Sequence, residues 1–75
     1  MRVHVVAHYR NGADDVRGQG LRDGAVWAWN RTQASWCMHN QPNQRGDSDK
    51  FYPGRNDRTK FTVLSLGRST TGICW

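Results

Sequence analysis

The sequence predicts an all-β domain: a compact six-stranded antiparallel β-sandwich of two small packed sheets, with one long polar loop and one disulfide. Three observations carry that reading. The chain has no Glu, only Lys50 and Lys60 as lysines and only Leu21, Leu64 and Leu66 as leucines, so the usual helix builders are scarce. Short runs rich in Val, Thr, Trp and Tyr alternate between apolar and polar positions, as half-buried strands do. Clusters of Gly, Asn, Asp and Pro separate those runs. At 75 residues, a domain buries only about 60% of its unfolded surface. Residues 1–75 therefore read as one domain that gains from a cross-link.

Arg2 to Arg10 sets Val3, Val5, Ala7 and Tyr9 against Arg2, His4, Val6, His8 and Arg10, a strand with one apolar and one cationic face. Asn11–Asp15 is a turn cluster. A weaker strand is expected over Val16–Arg22, kinked by Gly18 and Gly20. Asp23-Gly24 reads as a two-residue hairpin turn, since Asp tolerates positive φ and Gly takes it freely. It leads into Ala25–Arg31, where Ala25, Trp27 and Trp29 share a face. Gln33–Asn40 is the next strand, with Ala34, Trp36 and Met38 opposed to Ser35, Cys37 and His39. Asn40 to Arg58 is polar and reads as a long mobile loop, with a short extended piece at Lys50–Tyr52 ending at Pro53-Gly54. Thr59–Leu66 is a strand, Gly67–Ser69 a turn and Thr70–Trp75 the last strand.

The expected core is Val3, Val5, Trp27, Trp29, Trp36, Phe61, Val63 and Ile73, with Trp75 also inward, because so small a chain has few other bulky apolar residues. Phe51 and Tyr52, in the expected loop, are left for contact with a partner.

Cys37 and Cys74 are expected to pair, closing a loop worth roughly 4 kcal/mol in the chain-entropy model. A metal site built from Cys37, His39, Cys74 and a histidine of the first strand is the alternative, but it lacks C-x2-C spacing. No cofactor is expected. A ribonuclease would have to draw its base and acid from His4, His8 and His39, and no nucleophile–base pair stands out. The net charge of +5 rests on nine arginines with six aspartates interspersed, which suits a soluble surface and admits an anionic partner. Arg45-Gly46-Asp47 is a short match to integrin-binding tripeptides, and Asn30-Arg31-Thr32 is a glycosylation acceptor that would place Asn30 at the surface. No stretch approaches the length of a membrane span. Met1 leads straight into a strand pattern and reads as a start residue standing where a leader was removed.

The opening VHVVAHYRNG, the DGAVWAWN segment, the single Cys pair and the six short strands together resemble the small secreted avirulence effectors of the blast fungus that share the MAX fold. The resemblance implies two packed three-stranded sheets and a non-catalytic secreted protein. Such a protein is a monomer, translocated into the host cytoplasm, that binds a host plant protein and is recognised by an immune receptor. One departure stands: such effectors bridge the first strand to a position near the fifth, whereas Cys37 and Cys74 would bridge the fourth to the last. Asp14-Asp15-Val16 through Leu21, Gly24, Trp27 and Trp29 is also similar to plant self-incompatibility S1-type secreted proteins, whose further cysteines are missing here.

A partner would meet an exposed strand edge together with arginine and aromatic side chains. The candidates are Arg2, His4, His8 and Arg10 on the first strand, and Arg45, Asp47, Tyr52, Arg55 and Arg58 in the long loop. Charge reversal at Arg55 and Arg58 is expected to weaken binding without unfolding the domain. The alternatives are a small basic β-barrel binding RNA or single-stranded DNA, and a ribonuclease-like or toxin protein.

Overall fold

A computed structural model of the chain describes residues 2–3, 7–18 and 20–75. Among them run seven strands: β1 (Arg2–Val3), β2 (Ala7–His8), β3 (Ala25–Trp29), β4 (Ser35–Gln41), β5 (Arg45–Phe51), β6 (Asn56–Val63) and β7 (Ser65–Ser69). They form two antiparallel sheets, one of four strands in the order β2-β1-β3-β6 and one of three in the order β5-β4-β7. The all-β, two-sheet, disulfide-linked architecture is as expected, and its strands differ in instructive ways.

The single first strand is instead two short ones that pair with each other, Arg2 opposite His8 and Val3 opposite Ala7. Of the residues expected there, His4 and Val5 lie outside the described residues, and Val3 is described through its backbone alone. Val16–Arg22 holds a single 3-10 turn, Val16–Gly18, rather than a strand. Asp23-Gly24 does form a tight turn, closed by the Gly24 N–H donating to the Leu21 carbonyl at 3.0 Å. Glycine is required there twice over: φ is +80°, and a Cβ would come within 2.7 Å of the Thr62 methyl. The turn is not a hairpin, because β3 pairs with β1 and β6.

A bulge decides the fate of the tryptophans. The pairing of β3 with β6 slips between Ala25 and Trp27, so Ala25 and Ala28 both point inward. Two steps along β3 there answer five along β6, and a register change by an odd number of residues reverses the faces beyond it. Trp27 is therefore 44% exposed and Trp29 only half-buried, and neither is the core residue the strict alternation implied. The core is built instead from Tyr9, Ala13, Val16, Leu21, Ala25, Ala28, Trp36, Met38, Phe51, Val63 and Leu66, with Phe61 packed against it.

The expected long loop is mostly strand. Gln41 and Arg45 are paired across a short turn in which Asn43 and Gln44 adopt left-handed backbone, so β4 and β5 form a hairpin. β5 is a polar edge strand whose inward positions are Asp49 and Phe51, and charged residues on an edge discourage pairing with other chains. Phe51 is fully buried, not a contact residue. At Tyr52-Pro53-Gly54-Arg55 the chain turns, the Arg55 N–H donating to the Tyr52 carbonyl at 3.1 Å, and crosses from one sheet to the other. Pro at the second place and Gly with positive φ at the third suit such a turn.

The segment expected as one strand over Thr59–Leu66 is divided by Leu64. β6 ends in the first sheet, Leu64 donates its N–H to the His39 carbonyl at 2.9 Å, and β7 continues in the second sheet. Gly67–Ser69 belongs to β7 rather than to a turn.

Thr70–Trp75 makes no strand; it folds back as a strap over β4 and β7. The Ser69 hydroxyl donates to the Ile73 carbonyl at 3.0 Å, and Cys74 is bonded to Cys37 with their Cα atoms 5.4 Å apart. The Trp75 ring lies over Gly67, where a Cβ would stand 3.1 Å from the indole, and its centroid is 5.2 Å from that of His39. With Cys74 turned toward the sheet, its neighbour Ile73 faces solvent at 73% exposure, so Ile73 is not a core residue.

Candidate partner-binding face

The register that turns Trp27 and Trp29 outward also gathers a surface around them. Trp27 stands opposite Arg58 and Trp29 opposite Asn56, and directly opposed residues project from the same side of a sheet. The Trp27 indole N–H donates to the Asn56 amide oxygen at 2.8 Å, which sets the ring on the sheet. The Arg31 guanidinium lies 4.8 Å from the centroid of the Trp29 ring, a cation–π geometry. Arg58 and Val26 are exposed as well. The outer side of β3 and β6 thus carries two indoles, two guanidinium groups and an amide. Trp and Arg are the residue types that most often dominate binding energy at protein interfaces.

The expected partner-binding residues are divided among several places. Arg58 joins the tryptophan face. Tyr52 is 58% exposed at the turn after β5, beside the strand end where the Gly54 N–H donates to the Asn30 carbonyl. Arg10 is exposed in the segment after β2. Arg2 and His8 are opposed in β1 and β2 through their backbones, and Arg2 also pairs with Trp29. Arg45 and Asp47 are exposed at the start of β5, in the other sheet, so the tripeptide they bracket is not continuous with the tryptophan face. It is also tied down, since the Asp47 N–H donates to the Asn40 side-chain oxygen at 2.9 Å.

Arg55 is a correction. Its guanidinium bonds the Asp49 carboxylate at 2.9 Å and the Lys50 carbonyl at 2.7 Å, and it lies 4.0 Å over the buried Phe51 ring. Asp49 in turn accepts the Lys60 N–H at 2.8 Å, which ties the edge strand β5 to β6. Arg55 is a structural residue joining the two sheets, so reversing its charge would disturb the fold rather than leave it intact.

Asn30 is the other. It is fully buried: its amide donates to the carbonyls of Ala34 at 2.7 Å and Phe51 at 2.8 Å, and its oxygen accepts the Thr32 N–H and hydroxyl. Both hydrogens of the nitrogen that would carry a glycan are used inside the fold, so Asn30 is not a surface acceptor.

His39, set by the alternation on the side of β4 opposite Trp36 and Met38, is fully buried beneath Trp75, and neither ring nitrogen has a hydrogen-bond partner among the described residues. Burial pulls its pKa below the ordinary histidine value, which keeps the imidazole neutral. With Cys37 and Cys74 bonded to each other, the Cys–His metal reading loses its thiolates, and no acidic, histidine or cysteine cluster able to hold a metal is found among the described residues.

Sequence reasoning missed Trp27, Trp29, Arg31 and Asn56 as surface residues. Alternation alone assigns the tryptophans inward, and nothing in Ala-Val-Trp-Ala-Trp marks the bulge. Compared with known proteins, the chain matches no family model, no curated protein and no solved structure.

Proposed function

We propose that this chain is a secreted, non-catalytic effector-type domain that binds a host plant protein through the outer face of β3 and β6. The observation that carries the reading is the Trp27–Trp29–Arg31–Arg58 surface on a frame braced by the Cys37–Cys74 bond. Structural disulfides persist in oxidising compartments, which favours secretion. Two sites a catalytic reading would have drawn on are occupied otherwise: His39 is sealed under the strap and the cysteines are bonded to each other. An interface centred on rigid indoles, with guanidinium groups beside them, binds with little loss of side-chain freedom.

The test is a binding comparison in plant extract with covalent cross-linking, using the wild type and the surface variants Trp27→Ala and Arg58→Glu. A specific cross-linked partner should be lost with both variants while circular dichroism stays unchanged. Equal cross-linking of wild type and variants would move the site elsewhere.

A second reading rests on the same surface. Aromatic rings on a sheet with arginines alongside can stack bases of single-stranded RNA or DNA. It requires affinity for an oligonucleotide that falls steeply with salt and drops on Trp27→Ala. Salt-independent protein binding with no oligonucleotide binding would exclude it.

A further inference from the structure

On the side of the three-stranded sheet, away from β3, an open cleft of about 520 Å³ lies between the Asn11–Asp14 segment, the β4–β5 turn and the C-terminal tryptophan. That volume is in the range of small-molecule sites, about 300–1,000 Å³. Its lining is mostly polar and includes Asn11, Asp14, Asn43, Arg68 and Trp75. We propose that this cleft binds a neutral, hydroxyl-rich ligand, a short oligosaccharide, with Trp75 as its platform.

The first argument is charge. The chain carries +5, yet the lining residues with ionisable side chains are one acidic, Asp14, and one basic, Arg68. An anion would gain from Arg68 and lose to Asp14, and a cation the reverse. A ligand whose hydroxyls donate and accept in equal measure satisfies both, together with the amides of Asn11 and Asn43.

The second is the aromatic surface. Trp75 is 55% exposed although one side of its ring lies over Gly67 and His39. Its neighbour Cys74 is covalently fixed to β4, which holds the indole in place. A pyranose ring has an apolar face of C–H groups and a rim of hydroxyls. An open indole bordered by amides and charged groups meets both parts.

The third is rigidity. The Gln44 amide donates to the Ala13 carbonyl at 3.0 Å, the Asp14 carboxylate at 3.2 Å and the Leu66 carbonyl at 3.2 Å, while the Asn43 N–H donates to the Asp14 carbonyl at 2.7 Å. These bonds hold Asn43 and Gln44 at φ of 61° and 56°, a conformation that costs energy in residues other than glycine. The backbone of the cleft walls is thereby fixed before a ligand arrives, so only the exposed side chains need ordering on binding. Asn11, Asn43 and Arg68 have no side-chain hydrogen bond or ion pair to the other described residues, and their polar groups remain available.

The experiment titrates the full oxidised chain with cellotriose, laminaritriose and N-acetylchitotriose, following the Trp75 indole N–H and the Gly67 and Arg68 amides by two-dimensional NMR. At least one probe should give saturable shifts confined to the cleft, with a Kd on the order of 1 mM. Trp75→Ala should weaken it at least tenfold. Because that variant can loosen the strap, Asn11→Ala and Arg68→Gln, both on exposed side chains, supply the second arm and should each weaken binding severalfold. Absence of saturable shifts with all three probes overturns the proposal. So does unchanged affinity in both Asn11→Ala and Arg68→Gln. Preferential, salt-sensitive binding of a sulfated oligosaccharide also overturns it, since that would make the cleft an anion site. The reading of the β3–β6 face is tested separately, because Trp27→Ala leaves every cleft residue in place.

Discussion

Reducing the Cys37–Cys74 bond should lower stability by about 4 kcal/mol while leaving the sandwich folded at low temperature. The magnitude follows from a sequence separation of 37 residues: a loop of that length removes about 4 kcal/mol of entropy from the unfolded chain at 25 °C. The structure adds where the native state feels the loss. The bond holds the Thr70–Trp75 strap to the outer side of β4, and the pairing of β4 with both β5 and β7 is made by backbone groups outside that strap, so it should survive reduction. What the native state gives up is the Ser69–Ile73 hydrogen bond and the cover of Trp75 over His39 and Gly67. The cost therefore lies mainly in the unfolded state. For a domain of this size each kcal/mol moves Tm by about 4–8 °C, so Tm should fall by roughly 15–30 °C. Urea unfolding followed by tryptophan fluorescence, with and without a dithiol reductant, measures this, and intact mass before and after reduction verifies the bond. The variant Cys37→Ala/Cys74→Ala should lose about 1 kcal/mol more, because the buried Cys37 sulfur is also removed. A loss below about 1 kcal/mol on reduction would refute the entropic argument. Loss of β-sheet circular dichroism in cold buffer would refute the view that the strap is peripheral.

Other consequences can be checked on the same material. Arg55→Ala should cost about 2–3 kcal/mol in urea unfolding, below the value for a fully buried pair because both partners keep some solvent contact, whereas Arg58→Ala should stay within about 0.5 kcal/mol. The His39 pKa is lowered in the fold, so the unfolded state binds the extra proton first. Its contribution is fully present above the ordinary histidine value and is lost as pH falls below it toward the depressed folded value. His39→Leu should flatten that acid-side slope, and an unchanged slope would assign it to other groups. Asn30→Ala should cost about 2–3 kcal/mol by stranding the Ala34 and Phe51 carbonyls. The folded protein secreted from a eukaryotic host should show no glycan mass at Asn30.

Much of the construction was legible in the chain. The missing helix formers, the strand-forming runs within Gln33–Asn40 and Thr59–Leu66 and the turn residues at Asp23-Gly24 and Pro53-Gly54 are local signals. Strands and turns do form there, although the second run is divided at Leu64 and the first is buried on both faces. The cysteine pair was legible for a similar reason, since two thiols in a small chain have few other uses. β5 was not legible, because Arg45–Phe51 is an edge strand that buries only Asp49 and Phe51 and shows no hydrophobic period. Its strand state comes from backbone pairing with β4, which composition does not report.

The candidate site lay still further from the sequence. Whether Trp27 and Trp29 face the core or solvent depends on a single bulge against β6, a strand some thirty positions away, and a shift of one residue exchanges the two faces entirely. The side chains of Arg55 and Asn30 looked free because their partners, Asp49 and the Ala34 and Phe51 carbonyls, are met only after the strands have paired. The cleft beneath Trp75 needs the disulfide, the β4–β5 turn and the Ala13–Leu66 bridge together. Sequence alone determined the class of the fold, because backbone propensity and turn chemistry act over a few residues. Tertiary structure decided which side chains are presented, because register and strap position are set by contacts between distant segments.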